Sequence, residues 1–285
     1  MSQSEDENRT DAANMEDAPQ SVFEVLPASH APEADAVIEE IPFTSPNGRA
    51  FTIVRTSELD AYEKGFGMEE DELVARNSII AAIPGDDYRG KQRMAAKLSK
   101  ATAAFEEFND LADLIASLPS IEAMVALKPK IKTGPGAGRV AQENRNIRIN
   151  TFLYAASRED DNDFHLILGR APNLVPKRYL TMEISGLPDT SNINYPASGL
   201  PDPSDPAYSK TVEEIRQARQ SFKDFFGADL PGLGYDFYPA LPVLMEGSLF
   251  FDMTHSSGNR PGPQKLSADM PTIWELHPVT KIVFK

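Results

Sequence analysis

The sequence has no cysteine, one tryptophan and four histidines in 285 residues. Without cysteine there are no disulfides, no thiolate metal sites and no cysteine nucleophile. No run of about 18 apolar residues occurs, so no membrane-spanning helix is expected. The N-terminus is acidic and lacks the basic start and apolar core of a secretory signal, and cytoplasmic residence is the expectation. Basic residues are also scarce, with 28 Lys and Arg against 43 Asp and Glu, a net charge of −15. KPKIK (128–132) is short and lies beside a glycine loop, so no clustered basic surface is legible. Strong binding to a nucleic-acid backbone is therefore not expected.

The acidity is local. Residues 1–40 hold eleven Asp or Glu and a single basic residue, Arg9. Such a stretch has too little apolar surface to offset the entropy of ordering, which predicts a disordered acidic tail. Its apolar island, SVFEVLP (21–27), is a candidate docking segment for a protein partner, against the plainer role of a solubilising tail.

IPFTSPNGRAFTIVRT (41–56) reads as a turn at Pro46-Asn47-Gly48 between two extended pieces. Ser57 with Asp60 carries a helix-start signature. In 88–118, Met94, Leu98, Ala101, Phe105, Phe108, Leu111, Leu114 and Leu118 recur at helical spacing, and Pro119 follows. The pattern predicts a mostly helical region over 41–131. KTGPGAGRV (132–140) lacks the Gly-Lys-Ser/Thr of a phosphate-cradling loop and carries no dinucleotide fingerprint. It is read as part of a flexible, Gly-rich linker over 132–146.

Beyond it the period switches to two. Strands are expected at 147–157, 163–169, 178–185, 242–255 and 272–285, with a helix at 209–227 capped by Ser209. Gly247 marks a bulge, and a proline-punctuated loop runs from 186 to 206. Three strands, a helix and two strands is the element order of an OB barrel. The expected fold is thus α+β, with a five-stranded OB-like β-barrel (β-β-β-α-β-β) over 147–285.

Alternation along these strands sorts the side chains. Phe164, Leu166 and Leu168 share one parity, as do Leu180, Met182 and Ile184, and Trp274, Leu276, Ile282 and Phe284. Asp163 with His165, Tyr179, Thr181 and Glu183, and Glu275 with His277 take the other. In an OB barrel the second, third and fifth strands are neighbours, so these polar residues would form one cluster. His165, His255 and His277 each lie near an acid, namely Asp163, Asp252 and Glu275. Imidazoles with carboxylates bind metal or act as acid–base pairs. The same pattern also arises where a structural hydrogen-bond network ties down a sheet. The three histidines share no short metal spacing such as His-Glu-x-x-His.

DDNDFHLILG, YLTMEI, SLFFDMTH and IWELHPVTKIVF, in that order, resemble the motifs of a family of uncharacterised bacterial proteins. The matching positions are Asp163, His165, Leu166, Glu183, Phe250, Phe251, Asp252, His255, Glu275, Leu276, His277, Pro278 and Val279. Asn162 departs from the pattern, where the family often has Gly, and 186–240 is longer and richer in proline. The resemblance spans 147–285 and implies a shared barrel-like domain and polar cluster, without an activity.

The reading drawn from these features is a non-catalytic binding or interaction protein, with Asp163, His165, Thr181, Glu183, Glu275 and His277 as a ligand-binding or structural cluster. One alternative is a metal-dependent, nuclease-like hydrolase using a divalent metal on His165, Glu183, His255 and His277. Another is a structural assembly subunit.

Overall fold

A computed structural model describes residues 24, 26, 30–60, 85–188, 205–257 and 260–285. Its strands are β1 (Val37–Thr44), β2 (Ala50–Thr56), β3 (Phe105–Phe108), β4 (Asn146–Arg158), β5 (Phe164–Gly169), β6 (Tyr179–Ile184), β7 (Asp236–Phe251) and β8 (Trp274–Phe284). The helices are α1 (Met94–Lys97), α2 (Leu111–Ala116), α3 (Ile121–Val125), α4 (Pro206–Phe226) and α5 (Gln264–Ser267).

All eight strands belong to one mixed sheet in the order β1-β2-β7-β8-β6-β5-β4-β3, and β7 also pairs with β4. The β3–β4 and β6–β8 pairings are parallel. The expectation of a five-stranded OB-like barrel is overturned. The five strands predicted from periodicity are present, but three further strands from residues before 110 join the same sheet. Strand β7 brings in β1 and β2, because its 16 residues are long enough to pair with β2 at Phe237 and with β4 and β8 as well, while β3 joins through β4.

The predicted helical region also fails. Among the described residues of 41–131 the helices are only four, six and five residues long. Phe105 to Phe108 is a strand, paired in parallel with Asn146 to Ile149. Several short elements each turn an apolar side inward, and in sequence they mimic one helical stripe. Each short helix has its own stop and start. Arg93 precedes α1 in the left-handed region at φ 50°, while Asp110 and Ser120 cap α2 and α3 through Ala112 N and Ala123 N.

The acidic tail was expected to run to residue 40. Residues 1–23, 25 and 27–29 lie outside the described residues, but Val37 to Glu40 already pair in β1, against the expected disorder. Residues 61–84, which the Ser57 signature introduces, and 189–204 of the proline-punctuated loop lie outside as well.

Helix α4 begins at Pro206, three residues before the expected start at 209. Asp205 accepts a hydrogen bond from Ala207 N, and Pro206 occupies the first turn, where its missing N–H costs nothing. Ile215, Phe222, Phe225 and Phe226 are its buried apolar side. Phe222, Phe225 and Phe226 pack into the main core with Phe164, Leu166, Met182, Trp274, Leu276 and Ile282. Trp274 is fully buried, and its Nε1 donates to Pro119 O at 2.9 Å.

The 132–146 segment, read as a linker, is pinned from both sides. Arg139 donates to Ser99 O, Ala96 O, Leu249 O and His277 O. Nearby, Arg93 and Glu143 form a bidentate pair, both contacts 2.7 Å, at 1% and 0% side-chain exposure. Glu143 also accepts from Val140 N and Phe251 N, and Arg93 donates to Phe251 O and Gly138 O. A charge removed from such a pair leaves its partner buried and uncompensated. Arg93→Met should therefore lose about 3–5 kcal/mol in urea unfolding, and Arg93→Met with Glu143→Leu should recover part of it. A double variant less stable than Arg93→Met alone would contradict this account.

Candidate functional site

Register, not chain proximity, assembles the polar face. His165 on β5 stands opposite Glu183 on β6. On the other side of β6, Thr181 pairs with Glu275 and Met182 with Leu276 in parallel. Continuing that register puts Glu183 beside His277. His165, Glu183 and His277 thus form a row across three strands, while Phe164, Leu166, Met182 and Leu276 point into the core. The structure brings Asp163, His165, Thr181, Glu183, Glu275 and His277 onto one face, and none is more than 5% exposed.

Strand β7 shapes the ground beneath His277. The β7–β8 register shifts on both sides of Gly247, the expected bulge. A Cβ there would lie 2.8 Å from Pro278 O and 3.2 Å from Leu276 Cβ, so only glycine lets the strands approach this closely. Phe250 packs beside the imidazole, with ring centroids 5.6 Å apart, and the Arg93 guanidinium covers the Phe250 ring at 4.6 Å.

His277 is enclosed by three carboxyl groups. Its Nδ1 lies 2.5 Å from Glu183 Oε2 and 3.3 Å from Glu275 Oε1, and its Nε2 lies 3.3 Å from Asp163 Oδ2. The other Asp163 oxygen accepts Gly186 N at 2.7 Å. Lys97 brings the nearest ammonium, 3.5 Å from Glu183 Oε2 and 3.8 Å from Asp161 Oδ2.

These charges sort themselves. Burial alone would raise the Glu183 carboxyl, but Lys97 and His277 hold it well below the ordinary range. Burial opposes the Lys97 ammonium, yet Glu183, Asp161 and Asp163 lift its pKa well above normal. Burial pushes Asp163 well up, helped by Asp161, and pushes Glu275 well up, helped by Glu183. His277 is lowered, chiefly by burial. A neutral imidazole therefore donates Nδ1–H to an ionised Glu183, and the Lys97 ammonium is the fixed positive charge beside them.

Over this face lies a cleft of about 340 Å³ whose lining includes Asp60, Tyr88, Lys97, Glu159, Asp161, Glu183, Tyr235, Asp252 and His255. The acidic turn between β4 and β5 supplies one wall. Asn162, at φ 74°, holds that turn by accepting from Arg158 and Arg219 and donating to Asp87 O. Arg219 is a buried arginine of α4 that also donates to Asp86 Oδ1.

His165 leads a second cluster. Its Nδ1 lies 2.7 Å from Glu159 Oε1, 3.3 Å from Tyr235 Oη and 3.9 Å from Asp60 Oδ2. Asp60 accepts from Tyr235 Oη at 2.5 Å and from Gly262 N at 2.7 Å. Burial disfavours the His165 imidazolium, but Asp60, Glu159 and Glu183 outweigh it and raise the pKa to about 10. Burial lifts Glu159 to about 7 despite His165.

His255 stands apart at the cleft rim. It follows β7 in the turn Met253–Ser257, and its Nδ1 lies 2.5 Å from Asp252 Oδ2. That pairing overcomes burial, raising His255 and lowering Asp252.

Two groups have one potential ligand atom per residue, all mutually within 4.8 Å: Asp60, Glu159 and His165, and Asp163, Glu183 and His277. The set predicted from sequence, His165, Glu183, His255 and His277, is therefore divided. His165 and His277 fall in different groups, and His255 falls in neither. Lys97, Asp60, Glu159, Tyr88 and Tyr235 went unrecognised as site residues. Lys97 and Tyr88 lay within the misread helical stretch, whereas the acidic turn holding Glu159 carried a legible signal.

The chain matches no protein-family model, no curated protein and no solved structure in comparisons with known proteins. No helix among the described residues is long and apolar enough to cross a membrane.

The His165 pair gives a pH test. A folded-state pKa raised from 6.5 to about 10 contributes stability that is fully present below pH 6.5 and is lost as pH rises through about 10. Nuclear magnetic resonance titration should find His165 protonated at pH 8 and its pKa lowered in Glu159→Gln. A wild-type midpoint near 6.5 would refute the pairing.

Proposed function

We propose that this is a non-catalytic binding protein whose acidic cleft takes a small, positively charged ligand. One observation carries the reading: Asp60, Glu159, Asp160, Asp161, Glu183 and Asp252 line the cleft, against Lys91, Lys97 and Arg158. Enclosed charge of one sign concentrates ligands of the other, and the volume falls within the ordinary range for small-molecule sites. Cytoplasmic residence and engagement of a protein partner by the acidic tail belong to the same proposal. So does membership of the bacterial family that the four motif stretches resemble, which supports a shared polar cluster and assigns no activity.

A test is thermal unfolding with putrescine, spermidine and arginine, beside neutral and anionic controls of similar size. A bound amine at a hundred times its Kd adds about 2.7 kcal/mol of stability. Asp60→Asn and Asp161→Asn should abolish that gain. Stabilisation by neutral or anionic compounds alone would overturn the reading.

A second reading is favoured by the two groups with ligand atoms within 4.8 Å. A divalent cation held by one of them is the arrangement of a metal-dependent, nuclease-like hydrolase. In that reading the His255–Asp252 pair at the rim serves acid–base work.

A further inference from the structure

Eight buried side-chain nitrogen or oxygen atoms among the described residues have no hydrogen-bond partner, and five belong to Tyr88, Asp163, His165, Thr181 and His277. All five residues lie on or beside the polar face. Two of the atoms confront each other, His277 Nε2 and Asp163 Oδ2, 3.3 Å apart. With Nδ1–H given to Glu183 at 2.5 Å, Nε2 presents a bare lone pair. No hydrogen bond closes this gap, so two buried acceptor atoms face each other with nothing between them, an arrangement that a shared cation would satisfy.

The spacing has a metal's dimensions. Two donors on a tetrahedral ion with bonds of about 2.0–2.1 Å stand about 3.3 Å apart. A metal-ligating histidine also normally gives its other ring N–H to a carboxylate, which fixes the tautomer and aims the ligand nitrogen. His277 has that partner in Glu183.

We propose that Asp163 Oδ2 and His277 Nε2 are the protein donors of a site for a zinc-like divalent cation, with Glu183 orienting the imidazole. The proposal rests on the second functional reading and specifies which group holds the ion. A nitrogen donor beside a carboxylate favours Zn²⁺ or Co²⁺ over Mg²⁺ and Ca²⁺, which take oxygen shells. The Asp60–Glu159–His165 group is the poorer host. There the short contact uses Nδ1, and His165 Nε2 has no partner to fix the ring. Two protein donors leave coordination positions for water or a ligand, and Glu183 and Lys97 on the cleft lining mark the way in. Lys97, 3.5 Å from Glu183, is the built-in competitor of a dication.

The test is titration of the chelator-treated full chain with Co²⁺ alone, read by visible d–d absorption and calorimetry. One Co²⁺ per chain is expected. Binding should be lost in His277→Ala and Asp163→Asn, weakened about 10–100-fold in Glu183→Gln, and retained in His165→Ala. Circular dichroism establishes that each variant is folded. Should the first two not fold, Lys97→Met keeps the question open to experiment: tighter Co²⁺ binding supports the site, and weaker or unchanged binding overturns it. Co²⁺ lost in His165→Ala but kept in His277→Ala overturns this assignment while sparing the reading it rests on. No Co²⁺ binding by the wild-type chain overturns both.

Discussion

Strand β7 hydrogen-bonds to β2, β4 and β8, and the rest of the architecture follows from that threefold pairing. Because β4 and β8 both lie against it, the sheet turns back through β6 and β5 and buries both of its faces. One side receives α4 and the large aromatic core. The other is closed at the polar row by α1 and the segment behind it, through Lys97, Arg93 and Arg139. Polar side chains on a strand face that would otherwise meet water are therefore enclosed, and their charges must be compensated by protein groups.

That compensation explains several isolated features. Arg93 meets Glu143, Arg219 meets Asp86 and the Asn162 turn, and Lys97 meets Glu183. Each cation comes from a helix or its flank and reaches a strand end or the loop beside it, so the pairs fasten the helices to the sheet. The two arginines and the lysine differ in what they leave behind. Arg93 and Arg219 satisfy their carboxylates with paired or multiple hydrogen bonds. Lys97 is a single point charge among Asp161, Asp163, Glu183 and Glu275, so it holds Glu183 ionised while burial drives Asp163 and Glu275 towards their neutral forms around His277. This set of carboxyl groups, with Glu183 on the cleft lining, connects the acidic cleft to the cation site proposed beneath it.

Legibility differed sharply between elements. Strands β4, β5, β6 and β8 carry alternation long enough to read, and parity put Glu183 and His277 on the face they occupy. Parity is a property of the strand itself and survives an error in the overall fold. The stretch 88–118 misled for the opposite reason. The two short helices bury two apolar residues each and the strand between them half-buries Phe105 and Phe108, and their spacing imitates a single stripe. Only the parallel pairing of Phe105–Phe108 with β4 separates the two interpretations, and that contact lies some forty residues away in sequence.

The sequence by itself determined the local facts: roughly where β4, β5, β6, β8 and α4 run, which side of β5, β6 and β8 is polar, and where the acidic residues concentrate. Those follow from periodicity, capping chemistry and charge composition. Tertiary structure decided that eight strands share one sheet, that His165 and His277 belong to separate groups, and that His255 stays at the rim with Asp252. It also brought Lys97 and Asp60 to the site. Register and long-range approach are set by packing between distant segments, and no short stretch of sequence contains both partners.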